Sequence, residues 1–133
     1  MLKTMFKDNK KAVFGKIFNF EILGFWWEAE LVPADSEKLR YFEGTKQNFS
    51  LGNSSGSCFK IHLDESVPRQ NLLRIFLHEL THAILTTLVP CSNYSLFRLN
   101  DEGVCDFISN YYYLISKIQA NFENFLDNSN AIS

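Results

Sequence analysis

Pro68 and Pro90 bracket the longest helical pattern in this 133-residue chain, and the bracket divides the sequence in two. Proline fits the first turn of a helix and cannot continue one. Between them Leu73, Phe76, Leu77, Leu80 and Ile84 recur at three- and four-residue spacing, which predicts a helix over residues 68–89 with a broad apolar stripe. Upstream the pattern is that of strands. Residues 16–22 alternate polar and apolar side chains, residues 25–32 form a second strand candidate ended by Pro33, and in residues 58–63 Phe59, Ile61 and Leu63 share a face. Residues 40–51 predict a weaker strand, and Gly52-Asn53-Ser54-Ser55-Gly56 a turn. Downstream, a second helix is expected over about residues 100–117, continuing after a break to about 125, with a frayed polar tail over 127–133. Strands first and helices later predict one α+β domain over residues 1–133, with residues 1–63 its β-rich part.

Composition removes several classes of function. A net charge of −2 gives no basis for a nucleic-acid or anionic-membrane partner. The 3 cysteines, Cys58, Cys91 and Cys105, include no CxxC pair, which argues against a finger-type zinc site and fits a reducing compartment. Lys3, Lys7, Asp8, Lys10 and Lys11 interrupt any early apolar run, so no signal peptide is expected. No stretch approaches the ~18 apolar residues of a membrane span. The expectation is a cytoplasmic protein.

The chemistry lies in His78-Glu79-Leu80-Thr81-His82. At about 100° per residue, His78 and His82 fall about 40° apart on one side of the helix, one turn from each other. That placement suits two ligands of one Zn²⁺ per chain. Glu79 lies about 100° round, poorly placed as a ligand and well placed as a base toward a water between the two imidazoles. In the second helix Glu102 and Asp106 share a face opposite Val104, Phe107, Ile108, Tyr111, Leu114, Ile115 and Ile118. Glu102 is the expected third ligand, with Asp101 the alternative, and Asp106 is placed to orient a ligand imidazole. Three protein ligands leave a fourth position for water, whose proton Glu79 takes and then delivers to the leaving amine. Tyr113 is too far along its helix to stabilise an oxyanion, so Tyr94 is the candidate for that task. His62, on the polar face of its strand, is expected to be exposed.

The pattern HExxH, nineteen residues, then Glu102-x-x-x-Asp106 resembles the glutamate-type zincins, or gluzincins. The local wording, KIHL before LLRIFLHELTHAIL and then DEGVCDFISNYYYLI, is similar to the ImmA/IrrE-type and related small phage metallopeptidases over residues 58–116. The resemblance implies a minimal zincin fold: a small, twisted, mostly antiparallel sheet on the HExxH helix and the Glu-bearing helix. It also implies an edge strand that holds an extended protein or peptide substrate. Either residues 40–51 or residues 58–63 could be that edge. The implied activity is zinc-dependent peptide hydrolysis, in a phage or mobile-element regulatory protease. Two alternatives stand beside it: a zincin-like module that sequesters a repressor or toxin without cutting it, and a purely structural zinc clamp.

Overall fold

A computed structural model of the chain describes residues 16–88 and 101–132. The first two strands, β1 (Ile17–Ile22) and β2 (Phe25–Val32), form a hairpin. Its two-residue turn puts Leu23 and Gly24 at φ of 50° and 91°, both left-handed, as a tight hairpin of right-twisted strands requires. Alternation along β1 sends Phe18, Phe20 and Ile22 inward. After β2 the chain makes a short 3-10 turn at Glu37–Leu39 and a separate hairpin of β3 (Arg40–Glu43) and β4 (Lys46–Phe49). It re-enters the main sheet as β5 (Gly52–Ser55) and β6 (Lys60–Asp64).

The α+β class expected from the sequence is present, with a mixed sheet of order β1-β2-β6-β5. The β1–β2 and β5–β6 pairings are antiparallel, but β6 runs parallel to β2 through a crossover containing the small hairpin. Residues 40–51 are thus not one strand, because Gly44, at φ 62°, turns them back on themselves. Nor is Gly52–Ser55 a turn: its backbone bonds to β6, and its small side chains fit beneath a helix.

Helix α1 (Arg69–Leu88) falls within a residue of expectation at each end. The Pro68 carbonyl accepts its first backbone bond, from Leu72 at 2.8 Å. Helix α2 (Asp101–Ile132) differs more, since it runs without the expected break and carries the expected polar tail into its last turns. The cause is tertiary. Ile118, Phe122 and Leu126 repeat every four residues and are buried. Arg69 at the start of α1 reaches Glu123 at 3.1 Å and Asp127 at 2.9 Å.

Both helices cover one face of the sheet. Phe76 of α1 stacks on Phe122 of α2 at 4.0 Å between ring centroids, and Phe18 of β1 meets both at 6.0 and 5.4 Å. Trp27, Ile61 and Leu63 complete the buried layer beneath them. Among the described residues no helix is long and apolar enough to cross a membrane.

Since the Phe76–Phe122 stack is where sheet and helices meet, Phe122→Ala is expected to cost about 3–5 kcal/mol in urea unfolding. Tyr113→Ala, on the exposed face of α2, should change stability by no more than about 0.5 kcal/mol.

Candidate active site

Three faces of α1 have three environments. Phe76, Leu80, Ala83 and Ile84 are fully buried and pin the helix to the sheet. His78 and His82 project away from that contact, with the His78 side chain 68% exposed. Their Nε2 atoms lie 3.2 Å apart and their rings meet at 73°. The Thr81 hydroxyl, between them in sequence, donates back to the Leu77 carbonyl at 2.9 Å.

Glu79 occupies the third face. Sequence geometry places it on the flank, and the structure buries that flank: its side chain is only 9% exposed, with Oε2 4.0 Å from His78 Nε2. What covers it is β5. A Cβ added to Gly52 would lie 2.7 Å from the Ile75 Cγ2 methyl, 3.2 Å from Leu63 Cδ2 and 3.4 Å from Glu79 Cγ. A Cβ at Gly56 would meet the Thr86 methyl at 2.3 Å. The two glycines let the strand lie directly on α1. Gly52 is the site residue that sequence reasoning missed. Its only signal is a glycine in a serine-rich run, and that composition points equally to a turn.

Strand β5 is also an edge of the sheet. The Asp64 N–H donates to the Leu51 carbonyl, so the bonded register continues at Asn53–His62 and Ser55–Lys60. The backbone groups of Gly52 and Ser54 therefore face the open side. The expected edge, residues 40–51 or 58–63, is replaced by β5, because β6 is interior and residues 40–49 form the separate hairpin.

The imidazole pair fits part of a zinc site. Two nitrogens about 2.0–2.1 Å from a tetrahedral zinc stand about 3.3–3.4 Å apart, close to the separation in this pair. A third ligand is not assembled: among the described residues no three His, Cys, Asp or Glu side chains form a metal-binding group. Glu102 and Asp106 are both exposed. Axial level explains the separation. Gln119 of α2 donates to the Leu73 carbonyl at 2.9 Å, and the helices run antiparallel from there. At 1.5 Å per residue, Glu102 lies about 25 Å back along α2 while His82 lies about 14 Å along α1. The continuous α2 thus carries Glu102 past His82, and its neighbours Gly103 and Val104 share a groove with Leu85. The side chain of Asp101, and all of Tyr94, lie outside the described residues. Tyr113 is exposed.

His62 departs from expectation. Its side chain is only 14% exposed, on the sheet face opposite α1, where Nδ1 lies 3.2 Å from Asn53 Oδ1 and Nε2 3.9 Å from Glu30. Burial and the nearby Lys38 ammonium hold its pKa below the ordinary histidine value, against the opposing pull of Glu30.

Compared with protein-family models, curated proteins and solved structures, the chain matches none.

The close approach at Gly52 sets a testable cost. Gly52→Ala is expected to destabilise the fold by about 1–3 kcal/mol through overpacking against Ile75. Adding Ile75→Ala should recover part of that loss, measured as a non-additive double-mutant cycle.

Proposed function

We propose that the chain is a zinc-dependent endopeptidase in which His78 and His82 hold the metal and Glu79 is the general base. The observation that carries this reading is the His78–His82 pair, 3.2 Å apart and open to solvent, with a buried carboxylate 4.0 Å away. A buried, sheet-anchored helix face gives both imidazoles a fixed origin, as ligand positioning requires. Zinc, when bound, supplies a Lewis acid that polarises a carbonyl and acidifies water. Glu79 accepts the proton of the attacking water at its carboxylate and returns it to the leaving amine. The strand β5 packed on its stem restricts its rotamers and so fixes the direction of transfer. No described strand pairs with the outer side of β5, so the backbone groups of Gly52 and Ser54 there would bind an extended protein or peptide substrate by strand addition.

Glu102 is the proposed third ligand, reached by a shift of the first turns of α2. Those turns bury less than the later described ones: Val104 and Ile108 are half exposed, whereas Ile118, Phe122 and Leu126 are buried. Cys58 and Cys105 are free thiols, in keeping with the proposed cytoplasmic setting of a phage or mobile-element regulatory protease. One observation favours a second reading, a module that sequesters a protein partner: Glu102 stands apart from the histidine pair.

The zinc-loaded protein should carry one metal per chain, which His78→Ala removes and Glu102→Ala weakens. Glu79→Gln should keep the metal while slowing cleavage about 10²–10⁴-fold, measured by comparing proteins cut in cells expressing each form. A partner recovered uncleaved and captured equally by wild type and Glu79→Gln would select the sequestering module instead.

A further inference from the structure

Strand β5 is an unusual element to find beside a catalytic carboxylate. Its four residues, Gly-Asn-Ser-Ser, have low strand propensity. Among the described residues it has a backbone ladder on one side only, and its two inward positions, Gly52 and Ser54, contribute no apolar side chain to the core.

The outer sheet face supplies an anchor. The Asn53 side-chain amide donates to the Lys38 carbonyl in the 3-10 turn. A carbonyl can only accept, so this bond fixes the Asn53 amide and turns Oδ1 toward His62. Oδ1 can only accept in turn, which places the imidazole proton on Nδ1, 3.2 Å away. The other ring nitrogen faces Glu30 at 3.9 Å, and the same Glu30 oxygen accepts from Lys38 Nζ at 2.8 Å. With its proton on Nδ1, Nε2 is an acceptor and makes no hydrogen bond to Glu30; the bonded chain runs from the Lys38 carbonyl through Asn53 to His62, joining the 3-10 turn, β5 and β6, and the separate Lys38–Glu30 pair ties the turn to β2. Burial and the nearby Lys38 ammonium lower the imidazole's pKa, the direction that favours a single N–H donor.

We propose that Asn53, held by His62 and the Lys38 carbonyl, is a positioning residue that fixes β5 against Glu79, so that contacts on the outer face of the sheet set the geometry of the candidate site on its inner face. Asn53 touches neither Glu79 nor the two metal-binding histidines. It acts through the strand: its backbone pairs with His62 while its neighbour Gly52 abuts the Glu79 stem. Its catalytic consequence rests on the peptidase reading, whereas its hold on the strand does not.

The test is hydrogen exchange together with steady-state kinetics on the full chain, comparing wild type, Asn53→Ala and the milder His62→Gln. The ladder amides at positions 53, 55, 60 and 62, which bond β5 to β6, should exchange about tenfold faster in Asn53→Ala, with those of α1 and α2 unchanged. His62→Gln, which keeps a side-chain N–H donor, should show a smaller increase. In the zinc-loaded protein, Asn53→Ala should raise KM about five- to tenfold and lower kcat as well, by about two- to fivefold, the signature of a binding strand that loosens and no longer restrains Glu79. Unchanged exchange at positions 53, 55, 60 and 62 in both variants would overturn the proposal, as would loosening spread equally through α1. Should wild type cleave no protein, the peptidase reading fails, and the exchange data alone still decide whether Asn53 holds the strand.

Discussion

Everything at the candidate site depends on the burial of one helix face. Phe76, Leu80 and Ile84 have no exposed surface, and Phe76 is clamped between Phe18 and Phe122. Burying three such side chains contributes roughly 5–9 kcal/mol of transfer free energy, an upper bound on the area model. That contact fixes the rotation of α1 about its axis. Once the rotation is fixed, His78 and His82 point to solvent and Glu79 points at β5. A polar trio is thereby placed by apolar residues that never touch it.

The same contact explains the asymmetry of α2. Its second half is tied down by Ile118, Phe122, Leu126 and the Arg69 pairs with Glu123 and Asp127. Among the described residues its first half packs less completely: Phe107, Tyr111, Leu114 and Ile115 are partly buried against the core, while Val104, Ile108 and Tyr112 are about half exposed or more, over a groove shared with Leu77 and Leu85. Packing within one helix is uneven, and among the described residues the turns that follow Glu102 bury less than the later ones. Those are the turns a third metal ligand would have to move.

Local features were legible in the sequence, and features set by distant contacts were not. The prolines and the three-four apolar spacing marked α1 almost to the residue, and helical geometry alone separated the histidine pair from Glu79. Strand β5 was illegible because its Gly-Asn-Ser-Ser composition is that of a turn, and only pairing with β6 and the fit of Gly52 under Ile75 make it a strand. The polar tail of α2 was illegible for the same reason, since Arg69 lies more than fifty residues from the acids that hold it. His62 looked exposed because alternation assigns a face and not what covers that face. The interval between His82 and Glu102 says that both project from their helices, but not whether two antiparallel helices bring them to one level.

In the proposed peptidase, His78 and His82 act together as ligands of one metal ion. X-ray absorption at the zinc edge of the metal-loaded protein measures this most directly. Two imidazole nitrogens with oxygen donors and no sulfur is the predicted shell, reduced to one imidazole by either His78→Ala or His82→Ala. A sulfur-containing shell, or an unchanged spectrum in both variants, would contradict it.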